Sequence, residues 1–418
     1  MRRINLPIAA NPSGAPADET CLGMRIPVVD DGMPSPAASG PRRGFWRGQL
    51  RITWHLPAVL AALALAGFLA HWWPWLTSRP PRVVLLRGTH YQMGLQHGRL
   101  LGAEIRELFH VYVEEGLKAE GFRLASLMGA ARRFERYVPG ELRDEMRGIA
   151  DGSGVPYDRI LLLNTFPDII QGRSPRLCSA FAVETPQGLM IGRNLDWEDH
   201  GIAHRAGIVF LYAPAGAEPL LSVGWPGMVG VVSGMNRAGL VLTLNLAAAT
   251  DVVGEATPSL LRLRRVLESA RTLDAAVAAL GREPRTMAVN LLVASGGEDR
   301  AVVLEQSGTR QALVPMTRGQ VVTTNFYQRL DILGGAGSDR SATIAACLRR
   351  SGPRSRPADL RQALRAVAFP SFGGGLATIQ SVIFLPRQQS AEVAIGKLPA
   401  TAGRFFTVRL PSGQGTYR

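Results

Sequence analysis

From Arg205 to Arg418 the chain contains no histidine, and the only two that follow Cys178 are His200 and His204. A papain-like cysteine peptidase needs an imidazole base that usually lies far downstream of its cysteine, so that chemistry is disfavoured. A Ser-His-Asp hydrolase meets the same obstacle, and no Gly-x-Ser-x-Gly elbow stands before a helix. Cysteine is scarce as well. Cys21, Cys178 and Cys347 are too few for a disulfide framework, and without paired Cys/His spacing they make no zinc site. No phosphate loop or nucleotide fingerprint occurs, so no bound cofactor is expected. Arginine far outnumbers lysine. The 47 basic and 33 acidic residues leave a net charge of +14. The arginines are spread along the chain with no aromatic-interleaved cluster. That argues against nucleic-acid binding and leaves at most a general attraction to anionic lipid.

What is plentiful is apolar surface. At 418 residues and 46% hydrophobic content there is material for one large domain or two ordinary ones. Residues 1–52 are rich in Pro, Gly, Ala and Arg without periodicity and read as a disordered basic tail; Met24 and Met33 are alternative starts. Residues 53–78 read as a membrane segment. Leu56 to Leu76 is apolar except for His71 and ends in Trp72-Trp73-Pro74-Trp75-Leu76, residues that favour the interface. Its uninterrupted part, Pro57 to Ala70, is shorter than the roughly 20 residues that span a bilayer, and suits a signal peptide or a buried helix as well. Arg42, Arg43, Arg47 and Arg51 precede it and no small-x-small cleavage site follows. The expectation is an uncleaved anchor, with the N-terminus cytoplasmic and the bulk of the chain periplasmic or extracellular. Secretion after signal cleavage is the alternative.

Residues 83–177 carry mostly helical patterns, from about 88 to 116 and over 124–138, 141–151 and 157–168. After Cys178 the chain turns strand-rich. Strands are expected at 178–184, 189–193, 208–213, 220–223, 229–234, 240–246, 287–294, 301–305, 312–315, 321–324, 378–384 and 392–395. Helix pairs are expected at 259–269 with 273–280, and at 341–350 with 358–367. Two strand groups with interleaved helix pairs make an α+β chain built in layers.

The segment from Cys178 to Trp197 carries the chemistry. Two strands joined by Pro186-Gln187-Gly188 fold back on themselves, so that Arg193 and Asp196 are brought toward the Cys178 sulfur. A guanidinium near a thiol favours the reactive thiolate, which is a basis for nucleophilic catalysis. The bland alternative is a buried cysteine in a hairpin strand. Cys347, in a helical run, reads as packing.

The sequence Cys178-Ser179-Ala180-Phe181-Ala182, then Gly188, then Gly192-Arg193-Asn194-Leu195-Asp196-Trp197 resembles the Cys-type N-terminal-nucleophile (Ntn) hydrolases. The similarity is to the penicillin acyltransferase (peptidase C45-like) family, related to acid ceramidase and N-acylethanolamine acid amidase. The entry Gly88-x-x-Tyr91-x-x-Gly94-x-x-x-Gly98 resembles the start of the same family, although close packing alone also explains glycines four apart. The resemblance implies a four-layer αββα sandwich and autocatalytic cleavage between Leu177 and Cys178. It then implies a propeptide or small subunit over 83–177 and a catalytic subunit over 178–418, with the freed α-amine of Cys178 as the base for its own thiol. It places Arg193 and Asp196 in the site. Asn325, in Thr324-Asn325-Phe326, resembles the family's oxyanion asparagine. Asn245 resembles a second site asparagine, and Arg340, in Asp339-Arg340-Ser341, a second site arginine. Both asparagines also suit strand-capping turns, and Arg387 reads as a solvated turn residue.

The function so implied is hydrolysis or transfer of the acyl group of a linear amide through a Cys178 thioester. The partner is a small-molecule amide, fatty-acyl by inference from the anchor, and no nucleic acid is expected. The rivals are a noncatalytic membrane-anchored binding module on the same scaffold and the disfavoured papain-like peptidase.

Overall fold

The computed structural model describes residues 60–61, 77–171, 177–251, 254–332, 339–371 and 375–411. The expected tail (1–52) and anchor (53–78) lie outside the described residues except for Leu60, Ala61, Thr77 and Ser78. Among the described residues no helix is long and apolar enough to cross a membrane.

Two sheets form the frame. The larger has eight strands in the order β1-β4-β5-β6-β7-β8-β9-β10. These are β1 (Arg82–Gly88), β4 (Ile208–Pro214), β5 (Leu220–Gly224), β6 (Ser233–Asn236), β7 (Leu240–Leu246), β8 (Val289–Ser295), β9 (Arg300–Gln306) and β10 (Gln311–Pro315). The smaller runs β11-β2-β3-β12-β13-β14: β11 (Gln320–Thr323), β2 (Leu177–Thr185), β3 (Gly188–Glu198), β12 (Leu376–Leu385), β13 (Ser390–Ala394) and β14 (Phe406–Arg409). Only the β1–β4 pair is parallel among the described ladders.

Alternation along the strands sorts the side chains into layers. Val209, Leu211, Val223 and Val241 of the larger sheet meet Ala180, Ala182, Ile191 and Val382 of the smaller, and this is the core between the sheets. The opposite face of the larger sheet, with Phe210, Leu242 and Leu244, is covered by helices α1 (His90–Leu108), α2 (Leu124–Glu135), α3 (Gly140–Ser153), α4 (Tyr157–Ile169), α5 (Ser259–Ser269) and α6 (Leu273–Arg282). The opposite face of the smaller sheet, with Phe181, Val183 and Ile383, is covered by α7 (Asp339–Ser351) and α8 (Pro357–Ala366). The order helix–sheet–sheet–helix is the expected layering.

The glycines of the first helix are packing devices. A Cβ on Gly94 would meet the Glu145 carbonyl oxygen at 1.9 Å, and one on Gly148 would meet the Tyr91 carbonyl oxygen at 2.2 Å. Helices α1 and α3 therefore cross backbone to backbone, as glycine alone permits. The end of the first helix departs from expectation: Phe109–Leu117 is π-helical. The expected strand at 229–234 is a loop up to Ser233. Asn164 accepts the Val229 N–H at 2.7 Å and the Leu260 carbonyl accepts that of Val231 at 3.0 Å, so these donors are spent outside any ladder. Strand β14 was not expected. It is four residues long and draws its stability from pairing with β13.

Candidate active site

The β2–β3 hairpin builds the site. Gly188 turns with φ +101°, and Thr185 Oγ1 donates to its carbonyl at 2.7 Å. The register sets Cys178 opposite Leu195, Ala180 opposite Arg193 and Leu177 opposite Asp196. Alternation then puts Cys178, Arg193 and Leu195 on the face toward the larger sheet and Asp196 on the face toward α7. Cys178 sits at the junction, its sulfur in one polar network and its nitrogen in another.

On the sulfur side, Arg193 is wholly buried. Its Nη2 lies 3.5 Å from Cys178 Sγ and donates to the Leu244 carbonyl at 2.6 Å, while Nη1 donates to Asn245 Oδ1. Asn245 Nδ2 faces the carbonyls of Thr323 and Thr324 at 3.2 and 3.3 Å. Burial pushes the Cys178 thiol up from its ordinary range, while the Arg193 charge and the Asp196 backbone N–H pull it down. The chain thus holds a protonated thiol beside a cation.

On the nitrogen side, Asn325 Oδ1 accepts from the Cys178 N–H at 2.8 Å and from Arg340 Nη2 at 2.8 Å. Its Nδ2 donates to the Leu246 carbonyl at 2.6 Å. Arg340, in the first turn of α7, also spans the Cys178 carbonyl at 3.2 Å and Asp196 Oδ2 at 3.1 Å. Thr378 Oγ1 donates to Asp196 Oδ1 at 2.6 Å. Burial pushes the Asp196 carboxyl up to about 6, against Thr378, Arg340 and Arg193.

All six expected residues, Cys178, Arg193, Asp196, Asn245, Asn325 and Arg340, converge. One detail differs from expectation. The side-chain donors of Asn245 and Asn325, expected at an oxyanion, are both given to backbone carbonyls. The peptide N–H of Cys178 is itself a donor, so the amide facing it must present its oxygen. Arg387 stands apart in an ion pair with Asp299. Cys347 is packed inside the α7–α8 layer. Asn194 ties the sheet to α8, donating to the Leu364 carbonyl at 2.9 Å. Thr378 was missed. Its one sequence signal is a hydroxyl within the otherwise apolar run Leu376-Ala377-Thr378-Ile379, since a buried polar group needs a partner.

An apolar cavity of about 50 Å³ lies beside the cross-strand neighbour of Cys178. Leu195, the cross-strand neighbour of Cys178, lines it with Trp197, Leu244 and Leu246; Tyr112 and Phe166 close it from the segment before Cys178. Trp197 Nε1 donates to the Tyr112 hydroxyl across that divide.

The weakened acidity of Asp196 has a sign that can be checked. Between pH 4 and 6 the folded chain keeps a proton that the unfolded chain has released, so stability from this group falls as pH rises through that window. The effect amounts to about 3 kcal/mol. Urea unfolding at pH 4 and pH 7 should show this slope in the wild type and its loss in Asp196→Asn; an unaltered slope in the variant would refute the assignment.

Residues 183–342 match the family model described as acyl-coenzyme A:6-aminopenicillanic acid acyl-transferase. The match starts beyond Cys178. An uncharacterized protein of Archaeoglobus fulgidus is 29% identical over 262 residues, which are 54% of this chain and 44% of that protein. Acid ceramidase of Rattus norvegicus is 30% identical over 102 residues, 24% of this chain and 23% of that protein. The chain thus spans less than half the length of these two relatives. Among solved structures it is similar to a Caenorhabditis elegans N-acylethanolamine-hydrolyzing acid amidase ortholog. That likeness is 20% identical with a TM-score of 0.41, over 50% of this chain and 93% of the other.

Proposed function

We propose that the chain cuts itself between Leu177 and Cys178, and that the freed Cys178 is the nucleophile of an amidohydrolase or acyltransferase for linear amides with an apolar acyl group. The observation that carries this reading is the pair of networks on one residue: Asn325 and Arg340 at the nitrogen and carbonyl of Cys178, Arg193 at its sulfur. A structural cysteine needs neither. In the proposed cycle the α-amine takes the thiol proton and the thiolate attacks the amide carbonyl. The tetrahedral oxyanion is stabilised by the charge of Arg193 beside the sulfur. The amine leaves with the proton, and water or a second amine resolves the thioester. Asp196, through Arg340, keeps the positive charge of the nitrogen-side network balanced.

The apolar cavity beside Leu195 supports an acyl group without charge, and the name of the similar rat protein, acid ceramidase, points to a lipid amide. The same reading takes residues 53–78 as an anchor, with the N-terminus cytoplasmic and residues 83–418 outside; its support is the composition of that segment. Residues 83–177 are then the small chain and 178–418 the catalytic chain.

Intact mass of purified wild type beside Cys178→Ala tests the proposal. The wild type should yield a fragment beginning at Cys178, while the variant stays whole. A wild type that stays whole while folded has no free α-amine at Cys178, and the binding-module reading then takes over.

A further inference from the structure

Strand β11 ends at Thr323, and Phe326, two residues after Thr324, has an exposed ring. Burial of apolar surface at these positions does not place Asn325. Polar groups do. Asn245, Asn290 and Glu305 are register partners across β7, β8 and β9, and all three are wholly buried. Strands about 4.8 Å apart make them a row across the larger sheet, and the segment 323–330 runs along it. Asn245 Nδ2 donates to the carbonyls of Thr323 and Thr324. Asn290 Nδ2 donates to those of Thr324 at 3.1 Å and Phe326 at 3.0 Å, on either side of Asn325. Glu305 accepts the backbone N–H of Gln328, and those of Arg329 and Leu330 at 2.9 Å each. Every one of these contacts with the segment is to backbone, so the row dictates where the chain runs and leaves the segment's side chains free to serve.

We propose that the Asn245–Asn290–Glu305 row positions Asn325 against Cys178, with Asn290 and Glu305 as positioning residues that touch no reacting atom. The proposal rests on the reading of Cys178 as the nucleophile. Asn325 meets the Cys178 nitrogen through a single oxygen at 2.8 Å, and a displacement of about 1 Å breaks a bond of that kind and costs about 100-fold in rate where the geometry is catalytic. Asn290 acts through the two carbonyls that bracket Asn325. Glu305 acts through the chain that follows, so its removal is the milder lesion.

The test has two arms. In the uncut Cys178→Ala background, amide hydrogen exchange at residue 178 reports the hydrogen bond to Asn325 without any catalysis. Adding Asn290→Leu should speed exchange there at least tenfold while the amides of Ala182 and Ile191 in the same sheet keep their protection. Unchanged exchange at residue 178, or loss across the whole sheet, overturns the proposal. In the chain with Cys178 intact, Asn290→Leu should slow self-cleavage about 100-fold, and Asn290→Leu combined with Asn325→Ala should be no slower than Asn325→Ala alone. Additive losses would show that Asn290 does not work through Asn325. Glu305→Gln keeps the shape of the side chain and serves if Asn290→Leu does not fold; it should give the same pattern with a smaller amplitude. If the wild type never self-cleaves, the function reading fails and the exchange arm alone decides the positioning.

Discussion

Arg193→Met should slow the release of a chain beginning at Cys178 by about 10²- to 10³-fold, the range seen when one donor to a developing oxyanion is removed. The guanidinium is the cation nearest the sulfur among the described contacts, and it lowers the cost of ionising a thiol that burial otherwise keeps protonated. Removing it leaves the Leu244 carbonyl and Asn245 Oδ1 without their donor in a dry interior. An orphaned buried acceptor costs roughly 1–3 kcal/mol, so the variant should also unfold at lower urea. Arg193→Lys is not a gentle control. One ammonium does not reproduce a planar fork whose two ends hold Asn245 on one side and the sulfur on the other. The two effects separate by experiment. A time course of intact mass reads cleavage, and urea unfolding in the Cys178→Ala background reads stability without processing. Cleavage at the wild-type rate would remove Arg193 from the mechanism even if stability fell.

The ease with which Arg193 was found in the sequence, against Thr378, Asn290 and Glu305, shows what a chain discloses before it is folded. Arg193 and Asp196 lie on the strand that pairs with Cys178, so a two-residue turn and a period of two suffice to bring them near. Asn325 and Arg340 come from the other side of the molecule and were legible only through a resemblance of short motifs. Asn290 and Glu305 had neither aid. They are polar residues in apolar strands, and their partners are backbone atoms of the segment that follows β11. No local pattern encodes a partner of that kind, because any residue supplies the same N–H and C=O. The same holds for the loop at 229–234. Its composition suits a strand, and the Asn164 side chain and the Leu260 carbonyl, both from helices, take its donors away. The mixed α+β character was legible from alternation and helix pairing, and the order of the four layers only through the resemblance. The π-helical end of the first helix was not, since its apolar pattern also suits an α-helix.

Arg264→Met should destabilise the fold by about 3–5 kcal/mol, the cost of breaking a buried ion pair by removing one partner. Arg264 and Glu145 are both wholly buried and meet at 3.1 Å, and Arg264 also binds Glu268 at 2.7 Å, the Val229 carbonyl at 3.0 Å and the face of Tyr212 at 3.7 Å. In the variant Glu145 keeps, among the described ion pairs, His90, whose Nδ1 lies 2.8 Å away. Burial lowers the His90 pKa, but the hydrogen bond and charge of Glu145 and the charge of Glu268 outweigh it, so the folded value lies above the ordinary one. The stabilisation from its proton is therefore complete below pH 6.5 and is lost as pH rises through the folded value. With Arg264 gone, that proton becomes the last counter-charge for Glu145, so the loss in Arg264→Met should be larger at pH 8 than at pH 5.5. Adding Glu145→Gln should recover part of the loss at pH 8, because the uncompensated charge is then gone. A loss equal at both pH values and not eased by Glu145→Gln would mean that packing on Tyr212, not charge, is what Arg264 contributes. Glu145 precedes Cys178 in the chain and Arg264 follows it, so in a processed protein this network would be a bond between two chains, and its failure should appear as release of the segment before Cys178.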